Sequence, residues 1–300
     1  MKGIKRLSVL LLMFIASSSY AWWEAGHMLV ADIAYTNLKD PAKKTVNELL
    51  PYMKSEDTQN HKYTFDKNNP NYTLMAVSHW PDDIKSYPNY LSLYSTWHYI
   101  EHAYTDDGTD IPSIIPRDNV VGAISQFKRH LGLNKANAYS RARALSFLVH
   151  FVGDIHQPLH CGEYYSKLVP NGDRGGNSYK ISYIEKNGAQ LKNLHALWDS
   201  ALTLFPSKGF SHEVSAPKDI HTIASLITLD YPESYFSDKA KDMDPAKWEI
   251  ESHTLAMDAH QLPFDSIPND AYLNLNTQLA EQRIVLAGYR LANLLNQLLK

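Results

Sequence analysis

The spacing of hydrophobic residues predicts a mainly helical protein. In several long segments apolar residues recur every three to four positions, which is the spacing of one buried helix face. Residues 138–155 have the pattern most typical of a buried helix, and Pro158 would end that helix. The predicted helical segments are residues 27–38, 40 to about 53, 119–131, 138–155, 191–204, one that opens at Asp244-Pro245, and 273–299.

One segment has the pattern of a β-hairpin instead. Residues 178–184 alternate between apolar and polar, and Lys186-Asn187-Gly188 has the composition of a hairpin turn. Residues 22–300 contain neither an internal repeat nor a linker rich in Gly, Ser or Pro, so we expect a single, mainly α domain with a small β-hairpin insert. Loops are predicted near residues 55–72, 104–117, 163–177 and 206–218.

Residues that favour helix ends refine these boundaries. Asp40-Pro41 places a capping aspartate before a proline at the first helical position, and Asp244-Pro245 repeats that arrangement. Asp118 is predicted to cap the helix over 119–131, and Gly132 to close it.

Residues 1–21 are organised like a secretory signal peptide. A basic start is followed by an apolar core over residues 9–16, which is too short to span a bilayer. Residues 19–21 place small side chains at the −3 and −1 positions of a cleavage site. We expect cleavage between Ala21 and Trp22 and a secreted or periplasmic mature protein, with an uncleaved membrane anchor as the alternative.

Composition restricts what the protein binds. The formal net charge is −3, and the basic residues are scattered rather than gathered in one block. An anionic substrate would therefore need positive charge from another source, and a bound metal ion supplies it. The 14 histidines direct the search toward metal sites, while the single cysteine, Cys161, excludes an intramolecular disulfide.

Two pairs of potential metal ligands stand out because they lie in helical context. His150 and Asp154 are four residues apart, and so are His195 and Asp199. Side chains four apart on a helix project about 40° apart in azimuth, so both members of a pair can reach one ion. His160 follows the first pair just after the predicted helix end. The alternative for each pair is a core histidine bonded to a neighbouring carboxylate.

The same spacing occurs twice more, in weaker context. Pro81 lies inside the pair His79/Asp83 and disfavours a regular helix there, so Ser78 to Lys85 is expected to turn and project its acids. The pair His102/Asp106 runs into a loop signature.

A competing motif is H-x-x-E-H over residues 98–102, the pattern of inverted zincin proteases. That chemistry needs both histidines on one helical face. The surrounding residues are aromatic and β-branched, which disfavours a helix.

In their order along the chain, six motifs resemble the zinc-dependent single-strand nucleases of the S1/P1 type, which share a helical fold with bacterial zinc phospholipases C. The matches lie within residues 22–200. They are W-x-x-x-G-H at 22–27, S-x-W-x-D at 78–82, His98-Tyr99, A-L-x-F-L-V-H-F-x-G-D-x-x-Q-P-L-H at 144–160, G-G-N at 175–177, and N-L-H-x-x-W-D at 193–199.

The resemblance implies a site of three zinc ions. One zinc would be held by Asp82, His98, His150 and Asp154. Asp154 would bridge to a second zinc, which would also take His27 and the amine and carbonyl oxygen of Trp22. A third, more exposed zinc would be held by His160, His195 and Asp199. Histidine nitrogens and carboxylate oxygens are normal zinc ligands, and coordination positions left to water are typical of catalytic sites.

The resemblance also implies a mechanism and substrate contacts. Asp82 and Asp154 would be catalytic through two zincs that share a bridging water, whose pKa falls to near 7. Lys85 would stabilise the charge that builds on phosphorus. Tyr99 would stack on a base, which suits single strands because base faces are covered in a duplex, and Asn177 would contact the substrate.

The chain departs from the family in its cysteine content. Eukaryotic members carry disulfides, whereas this chain would depend on its core and on the zinc ligands that tie distant segments together. Cys161 is interpreted as buried and uninvolved. His79, His102 and His156 stand beside ligands without matching ligand positions, so supporting or surface roles are expected for them.

Three functions follow from these motifs. The first is an exported zinc nuclease that cleaves single-stranded RNA and DNA to 5′-phosphate products, with 3′-nucleotidase activity as a further expectation. The second is a zinc phospholipase C, against which the five-residue step from Trp22 to His27 and the aspartate at 199 argue. The third is a zinc-binding protein without turnover. We expect a monomer without stable membrane association.

Cleavage after Ala21 would also create a ligand. The nitrogen of an internal peptide bond is a planar amide without a free lone pair, whereas a freed α-amine has a pKa near 8 and can bind zinc. Trp22 is the candidate because it stands five residues before His27, as the motif requires.

Overall fold

The computed structural model describes residues 22–56, 66–86, 94–133, 136–202, 204 and 217–300. The helices of these residues are α1 Glu24–Thr36, α2 Asp40–Leu49, α3 Pro70–Ser78, α4 Trp80–Asp83, α5 Val120–Leu131, α6 Ala138–Asp154, α7 Leu194–Asp199, α8 Pro217–Asp230, α9 Pro245–Ala259 and α10 Asp270–Leu298. Strands β1 Ala103–Tyr104 and β2 Glu163–Tyr164 pair in parallel, and β3 Lys180–Ile184 and β4 Gln190–Asn193 form an antiparallel hairpin. The predicted fold class, mainly α with a small β-hairpin, is confirmed.

Helix α6 lies at the centre of the fold. Every residue from Ala144 to Asp154 is buried, so the C-terminal part of this helix is enclosed on all faces. Contacts with α1, α3, α5 and α10 surround it. Its C-terminal end, which carries His150 and Asp154, is therefore rigidly supported.

Helices α1 and α10 pack closely against each other. A Cβ atom at Gly288 of α10 would lie 2.5 Å from a methyl carbon of Ile33, so glycine is required for this approach. Helix α10 also holds the turn after α6, because Arg283 Nε donates to the His156 carbonyl oxygen at 3.2 Å and Arg290 Nη1 lies 2.9 Å from His156 Nε2. Glu251 pairs with both arginines. His156 thus has a supporting role rather than one as a ligand.

The hairpin corrects one predicted helix. The segment 191–204 was expected to be helical throughout, but residues 190–193 form β4, which pairs with β3 through Tyr183 and Leu191. The side chain of Asn193 then accepts from the Ala196 backbone N–H and starts the short helix α7. Because the chain changes from strand to helix at this point, His195 and Asp199 both lie on α7.

The predicted cap at Asp118 is wrong. Helix α5 is capped by Asn119, whose side chain accepts from the Gly122 backbone N–H at 3.1 Å. Asp118 instead accepts from the Thr96 hydroxyl and the Trp97 indole, at 2.8 and 2.7 Å. Its carboxylate fixes the segment that leads to His98.

The predicted cap at Asp40 is also wrong, because Asp40 is the first residue of α2 and Lys39 stands at the capping position without a side-chain hydrogen bond. Other boundaries agree with the sequence to within a few residues. Asp244 caps α9 as expected, and Gly188 has φ +81° in the hairpin turn. The leader over residues 1–21 and most of the loop over 206–218 lie outside the described residues. Among the described helices, not one has an apolar stretch of the length that crossing a bilayer requires.

Candidate metal and nucleic-acid site

The last turn of α6 presents His150 and Asp154 on one face, one turn apart. His150 Nδ1 donates to the Ser78 carbonyl oxygen at 2.9 Å, which leaves Nε2 with its lone pair 3.3 Å from Asp154 Oδ2. A histidine fixed in this way through one nitrogen is oriented to bind a metal through the other.

Two further side chains converge on this turn from separate elements. Helix α4 carries Asp82, whose Oδ1 lies 3.4 Å from both His150 Nε2 and His98 Nδ1. His98 ends the turn Ser95–His98, and its Nδ1 lies 2.9 Å from Asp154 Oδ2. The structure therefore brings together the four predicted ligands of one zinc.

His27 approaches Asp154 from the opposite side. Its ring stacks on His150 with centroids 3.8 Å apart, and its Nε2 lies 3.3 Å from Asp154 Oδ1. Asp154 thus faces His27 with one carboxylate oxygen, and His98 and His150 with the other. This is the arrangement that a carboxylate bridging two ions requires. The residues His27, Asp82, His98, His150 and Asp154 are called the Asp154 cluster below.

Trp22 lies beside this cluster. Its indole Nε1 donates to the Gly153 carbonyl oxygen at 3.1 Å, one residue before Asp154, and its side chain is fully buried. The next backbone N–H, that of Trp23, donates to the Asp199 carbonyl oxygen at 3.0 Å. The start of the described chain is therefore held between the two elements that carry Asp154 and Asp199.

A second group consists of His160, His195 and Asp199 and is called the Asp199 cluster. Ligand atoms of its members lie within 4.8 Å of one another. His195 Nε2 lies 3.2 Å from Asp199 Oδ2, and Gln157 Nε2 donates to the other oxygen, Oδ1, at 2.8 Å. His160 Nδ1 donates to the His98 carbonyl oxygen at 2.7 Å, which links the two clusters through one backbone segment.

The predicted G-G-N motif supports the Asp199 cluster through its backbone. The Gly175 carbonyl oxygen accepts from His195 Nδ1 at 2.6 Å. Gly175 has φ +59°, and a Cβ atom there would lie 2.4 Å from the Leu159 carbonyl oxygen, so only glycine fits. Gly176 has φ +86° and passes close to the His195 backbone nitrogen.

The donor atoms of both clusters fit metal ions. Within the described part of the chain, the buried atoms His27 Nε2, Asp154 Oδ1 and His160 Nε2 have no hydrogen-bond partner, which is costly unless another group binds there. Burial lowers the pKa of His27, His98 and His160, so these histidines are neutral and keep a lone pair for a ligand.

The carboxylates of Asp82 and Asp154 require positive charge nearby. Burial and the neighbouring charge of Asp82 raise the pKa of Asp154. Burial also acts to raise the pKa of Asp82, but the charge of Lys85 and other nearby interactions outweigh it and hold this pKa well below its usual range. Two buried carboxylates this close together are stabilised by cations between them.

Lys85 is buried, not an exposed lysine. Its side chain is 8% exposed, and its Nζ lies 2.5 Å from Asp82 Oδ1. The short helix α4 and the turn after it place lysine and aspartate three residues apart on one face. The ammonium is thereby held at the edge of the Asp154 cluster.

A cleft adjoins the Asp199 cluster, and the predicted substrate residues Tyr99 and Asn177 both line it. His160 and His195 of the Asp199 cluster line it as well. We call it the Tyr99 cleft. The sequence analysis missed three charged residues in its lining: Glu101, Glu163 and Arg174. Glu101 was visible only as the acid of the H-x-x-E-H motif, and the other two carried no motif signal.

The protease interpretation of that motif is not supported by the backbone. Residues 95–98 form a short 3-10 turn, and Tyr99 is extended with φ −146° and ψ 172°. His98 and His102 therefore do not share a helical face. His98 joins the Asp154 cluster, whereas His102 pairs with Glu249 elsewhere.

Two other expectations concern residues beside the clusters. Cys161 is buried, as expected, and its thiol faces the Ile155 carbonyl oxygen at 3.5 Å. His79 and Asp83 do interact, at 2.9 Å, because Pro81 falls within the first turn of α4, where proline is tolerated.

A helical fold that gathers buried histidines and aspartates beside an open cleft defines the class of protein as a metal-dependent hydrolase. The chain belongs to the S1/P1 nuclease family, whose model matches residues 22–300. Members of this family are metal-dependent enzymes that hydrolyse phosphodiester bonds.

Named relatives agree with this assignment. Endonuclease 3 of Arabidopsis thaliana is 27% identical over 304 residues, which cover 97% of this chain and 94% of the relative. Nuclease S1 of Aspergillus oryzae is 26% identical over 302 residues, which cover 93% and 92%. Nuclease P1 of Penicillium citrinum is 33% identical over 88 residues, covering 29% of this chain and 27% of the relative.

Gly153→Ala is expected to lower nuclease turnover by about 10- to 100-fold, the usual cost of displacing a residue that supports a metal site. A Cβ atom there would lie 2.7 Å from His27 Nδ1, so the ring must move away from Asp154. Turnover on single-stranded DNA checks this. Gly122→Ala is the matched control, because its Cβ would have no neighbour closer than 3.4 Å. Equal turnover in both variants would contradict the packing argument.

Glu163 is expected to make stability depend on pH. Burial raises the pKa of its carboxyl from 4.5 to about 7, although it accepts hydrogen bonds from the backbone N–H groups of Arg174 and Gly175. Between pH 4.5 and 7 the folded chain holds a proton that the unfolded chain has lost, so stability falls as pH rises. The shift corresponds to about 3 kcal/mol.

The matched variant for this prediction is Glu163→Gln, which does not titrate. Its amide loses part of the bonding to the two N–H groups, but that cost does not vary with pH. From pH 5 to pH 8, Tm of the wild type should fall by about 5–10 °C more than Tm of the variant. Identical pH profiles for the two proteins would contradict the prediction.

Proposed function

We propose that this chain is an exported, zinc-dependent nuclease that cleaves single-stranded RNA and DNA to 5′-phosphate products and also acts as a 3′-nucleotidase. The observation that carries the proposal is the position of Asp154, which faces His27 with one oxygen and His98 and His150 with the other. The family assignment and the names of the relatives support phosphodiester hydrolysis.

Three zinc ions would be held by nine residues. The Asp154 cluster would hold two of them, with the amine and carbonyl oxygen of Trp22 completing the second, and the Asp199 cluster would hold the third. Zinc is favoured because the donors are imidazole nitrogens and carboxylate oxygens with room left for water. When bound, the ions would lower the pKa of water toward neutrality and offset the charge of the phosphodiester.

The chain's own residues hold the phosphate and the base. The ammonium of Lys85 is positioned at the edge of the Asp154 cluster, where it offsets negative charge that develops on a bound phosphate. Tyr99 lines the cleft next to His160 and His195 and offers a ring face for stacking. Such stacking selects single strands, because a duplex covers the faces of its bases.

The proposal includes maturation by cleavage between Ala21 and Trp22. The family match begins at residue 22, and the buried contacts of Trp22 hold that residue beside Gly153. The freed α-amine would then serve as a ligand, which the amide of the precursor cannot do. Export follows from the composition of residues 1–21, so the mature protein would act in the periplasm or outside the cell.

The test is to assay the processed protein on single-stranded DNA, single-stranded RNA and phosphatidylcholine vesicles in parallel. We expect cleavage of both nucleic acids, loss of this activity with a chelator, and recovery on addition of Zn²⁺. If diacylglycerol release from the vesicles exceeds nucleic-acid cleavage, the phospholipase interpretation replaces this one. If zinc binds without turnover of any substrate, the protein is a zinc-binding protein only.

A further inference from the structure

A third group of metal-ligating side chains lies outside the two clusters. Ligand atoms of His102, Glu249 and His253 fall within 4.8 Å of one another. Glu249 and His253 are four residues apart on α9 and therefore share one face of that helix. His102 comes from the extended segment before β1 and is fixed there because its carbonyl oxygen accepts from the Glu163 backbone N–H at 3.0 Å.

The imidazole of His253 is oriented as a ligand. Its Nδ1 donates to the Cys161 carbonyl oxygen at 3.0 Å, and a carbonyl can only accept. Its Nε2 therefore keeps a lone pair. The same orientation occurs at His195 in the Asp199 cluster, where Nδ1 donates to the Gly175 carbonyl oxygen. Backbone carbonyls that fix one nitrogen in this way are characteristic of metal-binding histidines.

His102 and Glu249 complete a set of two imidazoles and one carboxylate. The ring of His102 stacks on that of His253 with centroids 3.8 Å apart and planes 10° apart. His102 Nδ1 lies 2.7 Å from Glu249 Oε1. A metal ion between His102 Nδ1 and Glu249 Oε1 would take the place of the proton that these atoms share. To admit the ion, the His102 ring must tilt outward. The ring has that freedom because its side chain is 35% exposed, whereas that of Glu249 is 9% exposed.

We propose that His102, Glu249 and His253 form an additional, peripheral binding site for a divalent transition-metal ion, with zinc as the preferred occupant. The donor set equals that of the Asp199 cluster, two histidines and one acid, with coordination positions left for water. The exposed edge of His102 gives the ion a path from solvent.

This ion has a stabilising role. It ties α9 to the segment of His102, and through the Cys161 carbonyl oxygen to the turn that carries His160. No group of the Asp154 cluster belongs to the site, so the cleavage reaction does not pass through it. Zinc bound here raises Tm because it binds the folded chain and not the separated segments.

The experiment compares zinc content and Tm after equilibrium dialysis of the processed, metal-loaded protein against micromolar Zn²⁺. The wild type should retain about one equivalent more zinc than Glu249→Gln and His102→Ala, since each variant removes one of three ligands. Its Tm should rise with added Zn²⁺, whereas Tm of the two variants should rise less. Both variants should keep wild-type cleavage of single-stranded DNA, which separates this site from the catalytic one.

His221→Ala is the matched control. His221 is also a partly exposed histidine paired with an acid, because its Nδ1 lies 3.0 Å from Asp32, but among the described residues no second histidine joins that pair. It should keep the additional zinc. His102→Ala removes a half-exposed ring, so it tests the site even if Glu249→Gln unfolds. Equal zinc content in the wild type and His102→Ala would overturn the proposal, as would equal loss in all three variants.

Discussion

Replacing Asp154 by asparagine is expected to lower kcat/KM on single-stranded DNA by at least about 10³-fold. Asp154 faces His27 with Oδ1, and His98 and His150 with Oδ2, so its two charged oxygens serve both halves of the cluster. An amide has one neutral oxygen and an NH₂ group that repels a cation. Loss of the charge stabilisation that the metals give to the transition state costs several kcal/mol, and each 1.36 kcal/mol is a factor of ten.

The readout is initial rate together with zinc content. Asp32→Asn is the matched control, because Asp32 is also buried but accepts from Asn71 and faces His221 rather than a residue of the Asp154 cluster. The control should keep its zinc and its turnover, whereas Asp154→Asn should lose both. An Asp154→Asn protein with full zinc content and wild-type turnover would contradict the role assigned to this carboxylate.

An additional residue in front of Trp22 is expected to lower turnover by about 10²-fold or more. Removal of a single group that stabilises charge in the transition state typically has an effect of this size. In the extended protein the nitrogen of Trp22 is an amide, which does not bind zinc, instead of the α-amine that the proposed cleavage would free. The extension also places extra residues directly before Trp22, whose side chain is fully buried and whose indole Nε1 donates to the Gly153 carbonyl oxygen.

Turnover with and without the extension is compared on one protein. This protein carries a protease recognition sequence that ends directly before Trp22, and it is assayed before and after cleavage. Turnover should appear on cleavage, together with zinc uptake. A chain extended at Lys300 instead is the control and should be active throughout. An extended protein with full zinc and full turnover before cleavage would show that the Trp22 amine is not a ligand.

The sequence predicted those parts of the site that depend on local spacing. His150 and Asp154 fall on one helical face because four residues nearly complete a turn, and the hydrophobic run over residues 144–152 required a buried helix. The ordered motifs indicated that Asp82, His98 and His27 would join them. The distances between these residues depend on tertiary contacts of α1, α4 and α6, which no local pattern encodes.

The sequence misled where two local signals competed. Asp118 and Asn119 are both good helix caps, and the choice was made by Trp97 and Thr96, which bind the Asp118 carboxylate from another element. Residues 191–193 belonged to the segment 191–204, which was predicted to be helical, but they lie in β4, because pairing with β3 outweighs that preference. Tertiary contacts decided both cases.

The lining of the Tyr99 cleft was the least predictable feature. Glu163 and Arg174 enter it because β2 pairs with β1 and because the glycines at 175 and 176 turn the chain back toward His195. His102 meets Glu249, which lies 147 positions away in the sequence, for the same reason. Residues so distant in the chain become neighbours only through the complete fold.

The most direct test of the central claim is to map the products from a DNA hairpin that has a single-stranded loop and a long duplex stem. The protein should be cleaved before Trp22 and loaded with zinc. We predict cuts confined to the loop, with a 5′-phosphate at each new end. Cuts distributed equally over stem and loop, or an intact hairpin, would contradict the assignment of this chain as a single-strand nuclease.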